Sequence, residues 1–493
     1  MYTLTVHASG RTVRLGAEQG ETLLTVLRRN GLADDVHTPC GGRGACRKCL
    51  VRLESPERSV LACLHRVEED LTVHLPDTRA ARVKSGGLAA RWKPALAEED
   101  ALGLAVDLGT TTVVGYLADL HTGRRLGVRG VQNEQRSYGA DVITRAQYAR
   151  DEADGLGTLG RVVRTQIRAM AEELCREVGR EVRELTRYVI AGNTVMQHLL
   201  DGLPADGIVQ APFTPDSLFG DERPASRYGW PGREDARVVL MPCLAGYVGG
   251  DITAGLLASS LHKPGEPVLF VDLGTNGEMA LRAGSDILAC ATAAGPAFEG
   301  ANIAHGMAGV HGAIDRIQVR GDSLSFSVIG GGEPRGICGS GLVDAAAALL
   351  ALGKVDETGY MEEDVVLAPG VVLTPRDLRE LQLAKAAVAA GIDVLLRVSG
   401  MKAGDIRALY LAGGFGGYLR CESARAIGLF PSEIPVRVVG NASGQGALAA
   451  LLSPNARKAL ANMLPRCRYL ELSGHALFND AYMDHMLFGQ EEA

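Results

Sequence analysis

The chain is 493 residues long, 46% of it is hydrophobic, 22% is charged, and its formal net charge is −7. The length predicts about three domains, and the composition is ordinary for a globular protein whose cores need no disulfide scaffold. Lys and Arg are not clustered along the sequence, which excludes nucleic acid and anionic membranes as the main partners.

No signal-peptide layout is visible at the amino terminus, and no apolar run reaches the roughly 18 residues that predict a membrane span. We therefore expect a cytoplasmic protein. The chain contains 10 cysteines, too few for its length to indicate a disulfide framework. In a reducing compartment, clustered thiols more often bind metal or carry redox chemistry.

The amino-terminal segment predicts a small mixed unit of strands and one helix. Residues 2–15 alternate as in a β-hairpin, with Ser9 and Gly10 in the turn. ETLLTVLRRNG predicts a short amphipathic helix that ends at Gly31. After a cysteine-rich loop, CLVRLES alternates again and predicts a further strand.

Four cysteines follow one another at intervals of five, two and thirteen residues: Cys40, Cys46, Cys49 and Cys63. A structural zinc site usually presents two short cysteine pairs, whereas only one such pair occurs here. The small residues at 41, 42, 44 and 45 let the backbone wrap tightly and direct N–H groups at bridging sulfides. This pattern favours a [2Fe-2S] cluster held by the four thiolates, with structural zinc as the alternative.

The order of strands, helix, cysteine loop and strand resembles a β-grasp ferredoxin with five residues between its first two ligands. Such a module transfers one electron at a time. The other cysteines lie far apart in apolar surroundings, and we expect them to be core residues, so that the chain holds a single cluster. They are Cys175, Cys243, Cys290, Cys338, Cys421 and Cys467.

Residues 79–100 lack periodicity and contain Gly86-Gly87, prolines and an acidic end. This composition predicts a flexible linker.

Beyond the linker, one local plan occurs twice. GLAVDLGTTTVVGYLAD and PVLFVDLGTNGEMALRAG each predict an apolar strand, a DLGT turn and a second strand. Turns of this kind bind phosphate, because their backbone N–H groups converge on its oxygens. The predicted phosphate contacts are Gly109, Thr110, Thr111, Gly274, Thr275 and Asn276. The preceding Asp107 and Asp272 are expected to face each other, hold hydrated Mg²⁺ and orient a water molecule; capping of their own turns is the alternative.

Three further turns follow predicted strands. In LYLAGGFGGYL the glycines at 413, 414 and 416 would let a nucleotide base and ribose lie against bare backbone, or would serve strand–helix packing alone. IAGNTVMQH and VVGNASGQGA share a Gly-Asn pair before a helical pattern and predict matched connections in the two halves.

Together these turns resemble the actin, sugar-kinase and Hsp70-like ATPase superfamily. The DLGT turns resemble its two phosphate motifs, and Gly413, Gly414 and Gly416 its adenosine motif. QRSYGADVITR, GNTVMQHLL, GPAFEGANIAHGM and ICGSGLVDA, joined to an amino-terminal ferredoxin, are similar to the ATP-dependent reductive activators of corrinoid proteins.

This resemblance implies a multidomain α/β and α+β protein. A β-grasp [2Fe-2S] ferredoxin domain (1–78) and the linker (79–100) precede a duplicated, RNase H-like, actin-like ATPase domain whose halves span 101–265 and 266–493. It implies Mg-ATP as the second cofactor and ATP-coupled transfer of one electron to the Co(II) of a corrinoid protein, which regenerates Co(I) for a methyltransferase system. The donor is an unknown reductant or ferredoxin, and the family suggests a homodimer.

For three further residues the sequence allows two roles each. Ser340 in CGSG is expected to cap the following helix and bring its positive end to the nucleotide, or to cap only. Glu278 and Glu299 are either catalytic or structural.

Three other functions would use similar motifs. An activator of a different low-potential metalloenzyme shares both modules. A redox-sensing nucleotide-binding regulator needs no electron acceptor. A small-molecule kinase uses the same turns but has no need of a cluster.

Overall fold

The structure, a computed structural model, describes residues 1–8, 11–30, 32, 36, 42, 44, 49–75, 92 and 101–489. The predicted turn at Ser9 and Gly10, the helix end at Gly31, Cys40 and Cys46 lie outside the described residues. So does the predicted linker, with the exception of Trp92.

The amino-terminal part is a five-stranded sheet with one helix packed on it. Its elements are β1 (Tyr2–Ala8), β2 (Arg11–Ala17), α1 (Leu23–Arg29), β3 (Leu50–Glu54), β4 (Glu57–Leu61) and β5 (Leu71–His74). The strand order is β2-β1-β5-β3-β4, with β1 antiparallel to β2 and parallel to β5. Thr22 caps α1 by accepting a hydrogen bond from the N–H of Thr25 at 3.2 Å, and the apolar face of the helix is buried. The predicted β-grasp fold is confirmed.

A first six-stranded sheet follows, in the order β10-β11-β9-β6-β7-β8. Its strands are β6 (Leu102–Leu108), β7 (Thr112–Asp119), β8 (Arg125–Gln132), β9 (Leu185–Gly192), β10 (Glu222–Pro224) and β11 (Arg237–Leu240). The helices of this region are α2 (Val142–Asp151), α3 (Gly155–Glu177), α4 (Thr194–Asp201), α5 (Asp206–Val209) and α6 (Gly250–Ala258).

The second six-stranded sheet has the order β21-β20-β12-β13-β14-β22. The strands of the second region are β12 (Gly265–Leu273), β13 (Gly277–Gly284), β14 (Asp286–Thr292), β15 (Ala313–Arg320), β16 (Ser323–Val328), β17 (Gly336–Ile337), β18 (Val365–Ala368), β19 (Val371–Leu373), β20 (Ala408–Ala412), β21 (Val436–Gly440) and β22 (Cys467–Tyr469). The helices are α7 (Gly339–Ala351), α8 (Pro375–Val398), α9 (Gly413–Gly416), α10 (Cys421–Ala426), α11 (Ala442–Leu452), α12 (Pro454–Met463) and α13 (Ala476–Asp484).

The described residues also form short 3-10 helices at Glu134–Ser137, Val182–Glu184, Ala225–Tyr228, Pro296–Glu299, Ala403–Asp405 and Leu464–Arg466.

The two large sheets share one plan. In each, the first strand (β6 or β12) pairs antiparallel with the next strand and parallel with a later one, β9 or β20. A DLGT turn therefore stands at the carboxyl end of a central strand in both sheets. The predicted duplicated α/β fold is confirmed.

Two helices lie between the sheets and join them. Helix α11 packs on β6 and β9 of the first sheet and against α6. Helix α6 meets the second sheet at β12, where a Cβ built on Gly255 would lie 2.6 Å from the ring of Phe270. Each half of the chain thus contributes a helix that packs on the sheet of the other half, and the shared core holds both DLGT turns at one junction.

Trp92 also belongs to this shared core. It is half-buried and packs on the ring of His262, with ring centroids 5.1 Å apart. Within the described residues, no helix is both long enough and apolar enough to cross a membrane.

Candidate functional site

The two DLGT turns close as tight hairpins. In the first turn (residues 109–112), the N–H of Gly109 donates to the carbonyl of Thr112 at 3.1 Å. In the second turn (residues 274–276), the N–H of Gly274 donates to the carbonyl of Asn276 at 3.0 Å. A Cβ on Gly109 would lie 2.6 Å from the Thr112 carbonyl oxygen, so the first turn requires glycine there.

The side chain of Asp107 is held from the other half of the chain. One carboxylate oxygen accepts a hydrogen bond from Nδ2 of Asn441 at 2.8 Å, and the other accepts from Oγ of Ser443 at 2.7 Å. Asn441 is also the N-cap of α11, where its Oδ1 accepts from the N–H of Gly444. These contacts tie the start of α11 to the first strand of the other sheet. The sequence treats this Gly-Asn turn as a connection only and gives no sign of its contact with Asp107.

The matched Gly-Asn turn touches the first turn as well. Asn193 caps α4 by accepting from the N–H of Met196, and its Nδ2 donates to Oγ1 of Thr110 at 3.0 Å. Both predicted connections therefore orient residues next to the first DLGT turn.

A carboxylate cluster lies between the sheets and consists of Asp107, Asp251, Asp272 and Glu278. Desolvation raises the pKa of Asp107, opposed by hydrogen bonds from Ser443 and Asn441. Desolvation, with the charges of Asp251 and Asp107, raises the pKa of Asp272 to about 8. The charge of Asp107 thus acts on Asp272, which supports the predicted facing arrangement of the two residues.

Asp251 is the member of this cluster that sequence reasoning missed. Desolvation, with the charge of Asp107, raises its pKa to about 7. It stands in the first turn of α6 after Gly249 and Gly250, and this Gly-Gly-Asp at a helix start was the available signal. Glu278 is the strand partner of Asp272, and desolvation together with the charges of Asp251 and Asp272 raises its pKa well above the usual value.

These four carboxyl groups form a donor set suited to a hard cation, because burial raises the pKa of each, and the charge of a neighbouring carboxylate adds to that rise at Asp251, Asp272 and Glu278. Mg²⁺ prefers oxygen ligands and retains several waters, so half-buried carboxylates next to exposed turns fit its requirements. Asp107, Asp251 and Asp272 are half-buried, and Thr110 and Thr275 remain partly exposed. The residues present fit a bound Mg²⁺ with phosphate.

Glu299 lies between the two DLGT turns. Its Oε2 accepts a hydrogen bond from Oγ1 of Thr111 at 3.0 Å. Desolvation raises its pKa, while Thr111, Thr275 and the charge of Arg145 oppose that rise. One carboxylate of the second half thus contacts the first DLGT turn and lies beside the second DLGT turn.

The glycine loop (residues 413–416) follows β20 as predicted. Gly413 has φ of +91°, and a Cβ there would lie 2.6 Å from Oδ1 of Asp272. Gly414 is exposed and a Cβ would meet nothing within 4 Å, whereas Gly416 is buried against Leu411. Glycine at 413 therefore lets the loop lie against Asp272, glycine at 414 leaves a bare surface, and glycine at 416 serves packing.

The expectation that Ser340 caps α7 is wrong. The N-cap is Cys338, and Ser340 lies inside the first turn, 4% exposed, with its hydroxyl donating to the carbonyl of Asp315 at 3.1 Å. The Gly-Ser-Gly pattern resembles a capping sequence, but close packing places the helix start two residues earlier. A Cβ on Gly339 would overlap the carbonyl of Phe298, which holds this helix start against the segment that carries Glu299.

Of the four cysteines predicted to bind the iron–sulfur cluster, Cys49 and Cys63 lie within the described residues. Their Sγ atoms are 3.2 Å apart, with the residues 1% and 7% exposed. Gly42 and Gly44 have φ of +96° and +79°, as expected for a tightly wrapped loop. Two adjacent, buried thiols that follow such a loop fit neighbouring ligands of one metal centre.

The structure does not bring the other cysteines together with this pair. Cys175, Cys243, Cys290 and Cys338 are buried, and Cys421 and Cys467 are partly buried. Desolvation raises the pKa of Cys175 to about 11 and that of Cys243 to about 12, so both stay as inert thiols.

Family comparisons cover nearly the whole chain. Residues 6–68 match a 2Fe-2S iron-sulfur cluster binding domain, residues 102–264 the RACo middle region, and residues 266–493 the C-terminal domain of RACo, the ASKHA domain.

Individual relatives agree with these matches. The chain is 33% identical over 429 residues to the corrinoid activation enzyme RamQ of Eubacterium limosum, covering 80% of this chain and 71% of RamQ. It is 27% identical over 361 residues to the Co(II) methylated amine-specific corrinoid protein reductase of Methanosarcina barkeri, covering 67% and 66%. A solved structure, a reductive activator for corrinoid, iron-sulfur protein, has a TM-score of 0.72 at 29% identity and covers 100% of this chain and 99% of its own.

Proposed function

The chain belongs to the family of reductive activators of corrinoid proteins, and we propose from this membership that it uses ATP to return a corrinoid protein from Co(II) to Co(I). One observation carries the proposal. A single chain joins an iron–sulfur domain to a nucleotide-binding domain whose two halves meet at the carboxylate cluster. Co(I) is the nucleophile of methyl transfer, so its accidental oxidation stops a methyltransferase until an electron is supplied.

The cluster is proposed to be [2Fe-2S], held by Cys40, Cys46, Cys49 and Cys63. When bound, it supplies one electron at a time. The contact between Cys49 and Cys63, the left-handed glycines beside them and the ligand spacing support this assignment.

The nucleotide is proposed to be Mg-ATP, whose hydrolysis makes the conformational cycle irreversible. Asp107 and Asp272 hold the hydrated cation and orient the attacking water, and Asp251 adds a third carboxylate. The two DLGT turns receive the phosphates through Gly109, Thr110, Thr111, Gly274, Thr275 and Asn276. Gly413, Gly414 and Gly416 are assigned to the adenosine side, where Gly414 offers a bare surface. Ser340 is assigned to the nucleotide site through the start of α7, which packs on the segment that carries Glu299.

Closure of the two halves is the proposed source of coupling. Co(I) is a strong reductant, and for a one-electron step each ~59 mV of unfavourable potential lowers the equilibrium constant about tenfold. The chain can oppose this only if its closed and open arrangements bind the Co(II) and Co(I) partner with different affinities. Asp107 with Asn441, and Glu299 with Thr111, are contacts between the halves through which closure can respond to nucleotide.

We also infer the domain division 1–78, 79–100, 101–265 and 266–493, a cytoplasmic location and a homodimer. The electron donor is a reductant or ferredoxin, and the acceptor is a corrinoid protein of a methyltransferase system.

The deciding experiment mixes chemically reduced protein with a Co(II) corrinoid protein, with and without Mg-ATP, and follows the absorption of Co(I). We expect Co(I) to accumulate only with ATP. Equal accumulation without ATP contradicts the coupled mechanism, and ATP turnover stimulated by a sugar or an acid favours a kinase.

Replacing one cluster carboxylate separates the ATP site from the electron site. Asp272→Ala is expected to lower ATP-dependent Co(I) formation by about 100-fold or more, because a charge that positions cation and water is lost. The visible spectrum of the iron–sulfur cluster should not change. Asp322→Ala, at an exposed aspartate of a distant hairpin, is the matched control and should behave as wild type. Unimpaired activation by Asp272→Ala contradicts the assigned role.

A further inference from the structure

Residues 133–139, here called the coupling segment, are fastened to the first DLGT turn. Asn133 is fully buried, and its Nδ2 donates to the carbonyl of Gly109 at 2.8 Å. Its backbone N–H donates to the carbonyl of Thr111 at 2.9 Å. A buried amide with these two bonds cannot move independently of the turn, since each broken bond leaves an unsatisfied polar group.

Arg145 makes a second connection between the same elements. Its guanidinium is fully buried and donates to the carbonyl of Thr110 at 2.6 Å and to the carbonyl of Gly139 at 2.8 Å. The coupling segment is therefore linked to three successive carbonyls of the turn, and a shift of the turn on nucleotide binding must move the segment.

The middle of the coupling segment contacts the ferredoxin domain. The guanidinium of Arg28, on α1, donates to the carbonyl of Ser137 and lies over the ring of Tyr138, 5.0 Å from its centroid. Tyr138 is itself braced by Tyr148, with ring centroids 5.0 Å apart. A hydrogen bond and a cation–π contact from one side chain give this joint a defined geometry.

Arg28 also lies beside Gly42, which belongs to the loop between Cys40 and Cys49 (the cysteine loop). A Cβ on Gly42, two residues after Cys40, would lie 2.9 Å from Cδ2 of Leu24 and 3.4 Å from Nη2 of Arg28. The backbone at Gly42 is thus seated on α1, and Arg28 lies between that loop and the coupling segment.

We propose that the coupling segment transmits the state of the first DLGT turn to the ferredoxin domain, with Arg28 as the positioning residue at the joint. Nucleotide binding then favours one seating of α1, and with it of the cysteine loop, against the ATPase domain. This inference rests on the proposed function and specifies how its two modules communicate. If nucleotide binding strengthens the contact between Arg28 and the coupling segment by a given factor, then this contact strengthens nucleotide binding by the same factor. A variant that breaks the contact should therefore also bind nucleotide more weakly.

Hydrogen exchange tests this directly. Full-length protein with its cluster is compared with and without the magnesium complex of a non-hydrolysable ATP analogue, and exchange of the α1 amides is measured. In wild type we expect nucleotide to slow exchange in α1, and in Arg28→Ala we expect this response to disappear. Arg29→Ala is the matched control, because Arg29 bonds to Glu21 at 2.7 Å and to the carbonyl of Gly16 at 2.9 Å within the ferredoxin domain. It should keep the response.

A second variant approaches the joint from the ATPase side. Tyr138→Leu removes the ring beneath Arg28 but leaves the hydrogen bond to the Ser137 carbonyl, so it should weaken the response without abolishing it. The Arg28→Ala/Tyr138→Leu double variant should lose no more of the response than Arg28→Ala alone, because Arg28→Ala already removes both contacts. In the corrinoid assay, Arg28→Ala should slow ATP-dependent Co(I) formation about tenfold, a loss within the usual range for coupling between two sites.

The outcomes separate this inference from the proposed function. If nucleotide binds and drives Co(I) formation but leaves α1 exchange unchanged in wild type, the coupling inference is overturned and the function stands. An equal response in Arg28→Ala and wild type overturns it as well. If adenine nucleotides do not bind, the proposed function itself fails.

Discussion

At the residue scale, the unusual feature is a set of carboxylic acids with raised pKa values. Desolvation, and after it the charge of neighbouring carboxylates, raises the pKa of Asp272 to about 8 and that of Asp251 to about 7. Without a cation, such groups hold protons at neutral pH, since two close negative charges cannot both be well solvated. A cation that binds there must displace those protons.

Magnesium–nucleotide binding is therefore expected to release protons. At a pH below the raised pKa values, magnesium–nucleotide has to displace these protons when it binds. Its affinity should therefore rise with pH between about pH 6 and pH 9, by at most about tenfold per pH unit for each carboxyl group that titrates. Calorimetric titration with a non-hydrolysable Mg-ATP analogue in buffers of different ionisation enthalpy measures the release directly. Heats independent of the buffer contradict this expectation.

In the nucleotide-free protein, the same carboxyl groups are expected to make the folded state less stable as pH rises. Because Asp251 and Asp272 bind protons more tightly in the folded than in the unfolded state, the folded state holds more protons between about pH 4 and pH 8. Their contribution to the free energy of unfolding is present at low pH and is lost as pH rises through the folded pKa values.

At the element scale, strand ends and turns determine where the chemistry lies. Both central strands end in a DLGT turn, and β20, the parallel neighbour of β12, ends in the glycine loop. Parallel neighbours end at the same edge of a sheet, so the loop and the second turn meet beside Asp272.

Two adjacent glycines of the glycine loop should respond differently to alanine. Gly413→Ala forces a left-handed residue and a 2.6 Å approach to Asp272 Oδ1, so we expect a loss of about 1–3 kcal/mol in the free energy of unfolding. Gly414→Ala meets open space and should leave stability within about 0.5 kcal/mol. Chemical denaturation measures both.

Gly414→Ala also separates the two interpretations of this loop. If adenosine lies on the bare backbone there, the variant keeps its stability but binds adenine nucleotide more weakly. Unchanged affinity would favour strand–helix packing as the role of these glycines.

At the scale of the whole molecule, the ferredoxin domain and the ATPase domain each have a hydrophobic core of their own within the described residues. Cys49 and Cys63 belong to the first core, and the carboxylate cluster is flanked by residues of the core that the two large sheets share. A variant in the ferredoxin domain should therefore lose the iron–sulfur cluster and keep ATP hydrolysis, whereas a variant in the carboxylate cluster should lose ATP hydrolysis and keep the iron–sulfur cluster.

Cys63→Ser tests this separation from the cluster side. Loss of one thiolate should reduce bound iron and sulfide and abolish Co(I) formation, while ATP hydrolysis persists. Cys421→Ser, at a partly buried cysteine on α10, is the control and should retain the cluster absorption. Full iron and sulfide in Cys63→Ser contradicts the ligand assignment.

Local patterns in the sequence were sufficient for the elements and for most candidate residues. The spacing of the cysteines, the two DLGT turns and the glycine loop are short-range features, because turn geometry depends on a few adjacent dihedral angles. Ser340 shows where such inference stops. Its pattern resembles a cap, but packing against the segment that carries Glu299 makes Cys338 the N-cap, so that the helix begins at Gly339.

The sequence by itself determined the strand–turn–strand repeats, the β-grasp order and the four-cysteine spacing, since each is encoded by neighbouring residues. Only the tertiary structure decided that Asp251 joins Asp107 and Asp272, that Asn441 and Ser443 hold Asp107, and that α6 and α11 cross between the sheets. The contacts of Asp107 with Asn441 and Ser443 join residues more than 300 positions apart, and their free energy exists only once both sheets have closed on a common core.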